Sequence, residues 1–193
     1  MISRIKMALF RRLIFKCFAP QMVLGYRRKI DNQFLPQTRI SNTTSISGEH
    51  NLDIADNVFI GHFNTLDASN GLMIGTGCQI SNYVSVTTHS SHIAIRLYGV
   101  HYIEHNGRHH GYITGKTVIK AYTFIGPHST IMPNVTLGKG SLVKAYSYVA
   151  SGTYPDFAIL CGNPAKVVGD TRDLDKELLH QYPELQAYYQ EWK

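Results

Sequence analysis

The chemistry-bearing side chains of this sequence are gathered in one stretch. In SVTTHSSH, residues 85–92, two imidazoles stand three apart at His89 and His92, and the next residues add His101, Glu104, His105, His109 and His110. An imidazole, with pKa near ~6.5, can accept a hydroxyl proton at neutral pH as the oxygen attacks an electrophile. A general base of this kind is worth about 10²–10⁴ in rate. These histidines lack the paired spacing of zinc ligands, so no metal is expected. No serine stands with a base of its own, which favours direct transfer over a covalent intermediate. His89 lies three residues past Val86, where a regular pattern stops, and His92 competes with it for the role.

What must position these groups is a rhythm of six. Ile40, Ile46, Ile54, Ile60, Leu66, Ile74, Ile80 and Val86 recur at six-residue steps apart from two of eight. Ile119, Ile125, Ile131, Leu137, Val143 and Val149 then resume without exception. Six fits neither a helix nor an ordinary strand. It fits a chain that turns a corner every six residues, three faces making a coil of about 18, with inward aliphatics layered about 4.8 Å apart. Residues four places on are often small or β-branched, as at Val58, Cys78, Val84, Thr123, Ser129, Val135, Ser141 and Ser147. Gly follows the aliphatic at 61, 75, 126 and 138, where it is expected to give a tight turn its freedom. Asn64 and Asn82, 18 residues apart, are expected to be structural amides that stack on one edge unless the two extra residues after Leu66 shift the register.

At 193 residues and 44% hydrophobic, the chain reads as one domain with small extensions. Its charge of +6 is confined: residues 1–30 carry eight Lys and Arg and no acid, against 11 bases and 13 acids in the remainder. Nucleic-acid binding is therefore not expected. Cys17, Cys78 and Cys161 form no paired motif and point to a reducing compartment, with Cys78 a small core residue. There is no apolar run long enough for an ordinary transmembrane helix. Arg11, Arg12 and Lys16 interrupt any signal-peptide core, so a cytoplasmic protein is expected.

Two further strings sharpen the pattern. CGNPAKVVG, residues 161–169, resembles the GxPAkvi segment that closes the coil in acetyl-CoA-dependent hexapeptide-repeat acyltransferases. IGPHSTIMPNVTLGKGSLVKAYSYV, residues 125–149, resembles their last coils, which line the coenzyme site. The resemblance covers about residues 40–168 and implies an all-β fold, a left-handed parallel β-helix with an extruded loop and short helical extensions. Residues 1–39 would be a basic N-terminal helical segment, 40–168 the coil with its loop at 90–114, and 169–193 a C-terminal helical segment.

The same resemblance assigns roles. VTTHSSH resembles the TH segment of sugar O-acetyltransferases, which places the catalytic base on His89. The loop becomes a polar, partly mobile wall over the acceptor, with Glu104 a candidate to orient His89. Asp67, Glu104 and His92 are the candidate substrate-binding residues. NTLDASNGLMIG, residues 64–75, resembles IDHATGIVIG of serine acetyltransferases: Asp67 matches the Asp, but Ala68 replaces the His. Gly61 stands where galactoside and maltose acetyltransferases carry an acceptor-binding Asn. Asp67 either binds an acceptor hydroxyl, steadies His89, or simply caps a turn. Gly126 and Ala145 match small residues that leave room for the pantetheine arm, and Lys166 matches a basic residue that meets a CoA phosphate. Each also has an ordinary structural reading. Ala150-Ser151 replaces the usual Thr-Lys.

The implied function is acetyl-CoA-dependent O-acetylation of a sugar or glycan in surface polysaccharide or glycolipid synthesis, by a homotrimer with active sites between subunits. The alternatives are transfer to a small acceptor of serine or xenobiotic type, and a non-catalytic β-helix scaffold. SRIKMALFRRLIFKCFAP, residues 3–20, reads as a basic amphipathic helix with Ile5, Leu9, Phe10 and Leu13 near one face, widened by Phe15 and Phe18. With Arg27, Arg28 and Lys29 it reads either as a peripheral contact of residues 1–30 with the inner membrane face, or as a helix packed on the coil or a neighbouring subunit. The last segment reads as a helix broken at Pro183, with Leu178, Leu185, Tyr188 and Trp192 covering an end or side of the coil.

Overall fold

A computed structural model of the chain describes residues 2–105 and 109–193. Residues 106–108 of the expected loop, and the side chains of Ile5, Leu13, Cys17 and Phe18, lie outside the described part. Of the fourteen aliphatics in the rhythm, twelve are exposed by 1% or less, while Ile40 and Ile46 at the first coil are partly buried. Burying each such side chain stabilises by about 1.5–3 kcal/mol relative to leaving it in water.

The aliphatics line three sheets. One contains Phe59–Ile60, Gln79–Ile80, Phe124–Ile125 and Leu142–Val143. The second runs through Ser45–Ser47, Thr65–Asp67, Ser85–Val86, Thr130–Ile131 and Tyr148–Val149. The third runs through Leu52–Ile54, Leu72–Ile74, Thr117–Ile119, Val135–Leu137 and Gly152–Thr153. All neighbours within these stacks are parallel.

Coil length changes along the axis. Ile46 pairs with Leu66 and Ile60 with Ile80, 20 residues on, because each eight-residue step adds two residues. After the loop, Ile119 pairs with Leu137 and Ile125 with Val143, 18 residues on. Between them Ile74 pairs with Ile119, so the extruded residues leave and return without disturbing the stack. The 20-residue coils overturn the expected Asn64–Asn82 ladder. Asn82 Oδ1 instead accepts from His62 N at 2.7 Å, and Asn64 Oδ1 from Val84 N at 2.7 Å.

The corner geometry also corrects the expected role of glycine. Three residues after the aliphatic, the backbone enters the left-handed region at Asn57, Phe63, Tyr83, Tyr122, His128, Asn134 and Tyr146, with φ of 57–61°. Gly61, Gly75, Gly126 and Gly138 do not share that conformation. A Cβ at Gly75 would stand 2.5 Å from Ala121 N, and one at Gly126 2.6 Å from Ala145 N. Close approach of the next coil, rather than turning freedom, requires glycine there.

The expected N-terminal helical segment is helical only over Ile2–Phe18. Met22–Arg27 and Phe34–Ser41 form an antiparallel hairpin that joins the first sheet, since their β-favouring runs flank the polar Asp31-Asn32 turn. Arg28 is consequently not a solvated charge: it pairs with Asp31 and reaches Asp53 at 3.0 Å. At the other end Ala158–Gly162 and Ala165–Asp170 form a closing hairpin, followed by helices Thr171–Gln181 and Leu185–Trp192 on either side of Pro183. Trp192 lies 4.6 Å from the Tyr122 ring and covers a corner of the coil. Leu178, Leu185 and Tyr188 stay exposed, so the expected covering face reduces to Trp192. Cys78 is buried in the core, and burial pushes its thiol up to about 11.

Candidate active site

The interruption after Thr88 brings two neighbouring coils together around one carboxylate. Asp67 ends the strand Thr65–Asp67, and Leu66 stands in register with Val86 on the next coil, so Asp67 lies beside the chain just before it departs. The extra residues after Asp67 fold into a turn in which Gly71 N donates to Ala68 O, and Ser69 N donates to Asp67 Oδ1 at 2.9 Å. Ser47 Oγ, one coil earlier, donates to the same oxygen at 3.3 Å. The other oxygen, Oδ2, accepts from Thr88 N at 2.9 Å, Thr88 Oγ1 at 2.6 Å and His89 Nδ1 at 2.7 Å.

This donor set decides the ionisation of Asp67. Burial alone would push its carboxyl up, but the hydrogen bonds from Ser69 and Thr88 outweigh it and hold the group well below the usual carboxylate range. An ionised Asp67 accepts the Nδ1 proton of His89, and the neutral ring then carries its lone pair on Nε2. His89 is 42% exposed and Asp67 12%, so the base faces outward while its support is nearly sealed.

The loop is anchored at its own base. His89 and Ser90 pair with Thr114 and Ile113 as a short antiparallel ladder, and Gly115 N donates to Thr88 O at 3.0 Å. Tyr112 stacks on the His89 ring at 5.8 Å with planes 13° apart. The loop continues into a helix at Ala94–Tyr98, with Ala94 buried, and a 3-10 helix at Gly99–His105.

Several expected site residues have other partners. Glu104 pairs with exposed His101 at 3.0 Å, so the carboxylate that meets His89 is Asp67, not Glu104. His92 Nδ1 bonds Ser90 Oγ at 2.7 Å and does not share the Asp67 contact. His109 is no part of a polar wall: it is buried, stacks on Tyr102 at 3.9 Å and donates from Nε2 to Tyr102 O. Gly126 and Ala145 do lie together, and Ala145 is exposed beside Tyr146. Lys166 is exposed opposite Cys161 in the closing hairpin, whose Gly162 N donates to Ser147 Oγ at 3.3 Å. The hairpin therefore sits at the Ala145–Ser147 end of the coil. Thr88 and Tyr112 were not singled out from sequence, although Thr88 directly precedes His89. Among the described residues no three His, Cys, Asp or Glu side chains converge as a metal site.

Residues 116–151 match the family described as bacterial transferase hexapeptide (six repeats). Two serine acetyltransferases from Buchnera aphidicola strains are 32% and 31% identical over 123 and 148 residues, 64% and 75% of this chain. The chain spans less than half the length of those relatives, 40% and 48%. Among solved structures, a maltose O-acetyltransferase from Clostridium difficile 630 is similar with TM-score 0.57 and 19% identity, covering 67% of this chain and 64% of that one. The D94A mutant of AntD, an N-acyltransferase from Bacillus cereus in complex with dTDP and coenzyme A, has TM-score 0.52 and 23% identity over 75% and 88% of the two chains. At those identities the structural likeness speaks for the fold, and with the repeat match it implies the left-handed coil.

Proposed function

We propose that the chain is a hexapeptide-repeat acyltransferase and that it transfers an acetyl group from acetyl-CoA to a hydroxyl of a sugar or glycan, with His89 as the general base, a reading that the repeat match over residues 116–151 supports. The observation that carries the reading is the Asp67–His89 pair, 2.7 Å apart at the exposed loop exit. His89 Nε2 takes the acceptor's hydroxyl proton as the oxygen becomes a nucleophile. Asp67 holds the Nδ1 proton, fixes the tautomer and stabilises the imidazolium that forms. Acetyl-CoA, when bound, would supply the acetyl group as an activated thioester whose C–S bond breaks as the ester forms, and the His89 imidazolium would return its proton to the departing thiolate. Exposed Ala145 and Lys166 at the closing hairpin suit a chain ending in phosphate, with Lys166 holding the phosphate. Gly126, packed against Val143 and Ala145, would likewise keep room beside Ala145 for the pantetheine arm.

The wider setting follows from the same reading. The enzyme would work as a homotrimer with sites between subunits, on an acceptor of surface polysaccharide or glycolipid synthesis. No helix among the described residues is long and apolar enough to cross a membrane. Every described side chain of residues 6–16 is exposed, with Met7, Phe10 and Ile14 on one face and Arg12 and Lys16 opposite. That helix would rest on anionic lipid near its acceptor, and the full-length protein should bind phosphatidylserine vesicles and be released as salt rises. A small acceptor of serine type is the second reading, favoured by identity to the serine acetyltransferases. The test is thiol release from acetyl-CoA with serine, free sugars, nucleotide sugars and oligosaccharides as acceptors. Release with sugars supports the first reading, release with serine the second, and release with none supports a scaffold.

A further inference from the structure

Thr88 precedes the base and has no polar group left over. Its side chain is fully buried. Its N–H and Oγ1 both donate to Asp67 Oδ2, at 2.9 and 2.6 Å. Oγ1 also accepts from Asn70 N at 3.0 Å, and the carbonyl accepts from Gly115 N at 3.0 Å. One residue thus ties together the Asp67 corner, the base and the returning end of the loop.

A buried threonine there has two possible uses. Packing needs only a β-branched shape, which valine supplies. Action through Asp67 needs the hydroxyl. The geometry favours the second, because the 2.6 Å bond falls on the very oxygen that holds His89 Nδ1. Each donor on a carboxylate oxygen draws off negative charge and lowers its pull on a further proton. The Thr88 hydroxyl thus shares Asp67 Oδ2 with the Nδ1 proton and weakens the pull of the ionised carboxylate on it.

We infer that Thr88 is a positioning residue acting through Asp67, setting the His89 ring and limiting the basicity of the pair. The inference rests on the reading of His89 as the base. Among the described residues the titratable groups facing the pair are few. Asp67 and His89 face each other, and Tyr112 stacks on the His89 ring. The Tyr112 phenol is pushed up, chiefly by burial, and stays neutral.

The test is a pH titration of the His89 imidazole by NMR of protein with ¹⁵N-labelled histidine, its signal assigned by loss in His89→Ala. In Thr88→Val, Asp67 becomes a stronger base and favours the imidazolium, so the His89 midpoint should rise by several tenths of a unit. In Thr88→Ser, which keeps both hydrogen bonds, the midpoint should return to the wild-type value. With an acceptor in hand, Thr88→Val should lower kcat about tenfold with KM little changed, and Thr88→Ser should restore it. An unmoved midpoint in folded Thr88→Val, or a serine variant displaced as far as the valine one, would overturn the inference. Should Thr88→Val not fold, Thr88→Cys supplies a weaker donor and should give an intermediate rise. An unmoved midpoint there counts equally against it. Full turnover in His89→Ala would instead defeat the base itself, which keeps the two failures distinct.

Discussion

Two corners of the same coil show opposite uses of one backbone. At the corner between the first and second sheets, Phe63, Tyr83, His128 and Tyr146 occupy equivalent left-handed positions. Their rings stack in sequence at 5.1, 4.8 and 4.8 Å, within 15° of parallel. At the next corner, between the second and third sheets, the repeat is broken three times: by the extra residues after Ser47, by those after Asp67, and by the loop that leaves after Thr88. The regular corner has each ring supported by the one before it, so its side chains serve stability. The irregular corner leaves successive coils free to present different groups, a carboxylate on one and an imidazole on the next. Repetition stabilises here, and its interruption makes the site.

Substitutions should separate the two corners by what they damage. The largest effect belongs to His89→Ala, which should lower turnover by at least about 10²-fold while circular dichroism and thermal melting stay near wild type. His92→Ala should keep its turnover, and a dead His92 variant beside an active His89 one would move the base. Asp67→Asn should follow, with turnover down on the order of 10²-fold as the ring loses its fixed tautomer.

Asp67→Asn also has a pH signature in stability. The folded carboxyl sits below its unfolded value, so its contribution to stability is complete above about pH 4 and fades as pH falls further. Denaturant unfolding should therefore find the variant less stable at pH 7, with the gap narrowing towards pH 3. A gap that widens in acid would reverse the sign assigned to Asp67.

Gly126→Ala should cost about 1–3 kcal/mol, because its Cβ would meet the Ala145 backbone. A fully stable variant with weakened coenzyme binding would return Gly126 to a purely ligand-facing role. Tyr83→Ala should cost about 1–3 kcal/mol through its two ring contacts and leave turnover unchanged. Lost turnover in a folded Tyr83 variant would blur the division between the corners.

How much of this was legible beforehand depended on whether a feature repeats. The coil was readable because Ile60, Ile80, Ile125 and Val143 each report the same burial at the same phase. Asn64 and Asn82 serve backbone groups as structural amides do, but they do not stack, because two insertions set the coil before the loop to a 20-residue register rather than the nominal 18. His89 and Asp67 could each be named as candidates. Their contact stood as one of three readings of Asp67, and choosing it needed the structure, since it spans 22 residues and depends on that same register. Glu104 was nearer in sequence yet lies with His101, which shows how little proximity along a loop says about its folded contacts. Arg28 looked like part of a basic patch because its partners Asp31 and Asp53 are brought to it only by the hairpin.

The central claim is that Asp67 and His89 act as one unit, and a double-mutant cycle on turnover tests it most directly. Asp67→Asn, His89→Ala and the double variant are assayed with the same acceptor, by thiol release from acetyl-CoA. If Asp67 works through His89, then once the imidazole is gone the carboxylate has nothing left to orient, and the double variant should be no slower than His89→Ala within about twofold. A double variant slower than His89→Ala by the full Asp67→Asn factor would mean that the two residues contribute independently, and would contradict the account.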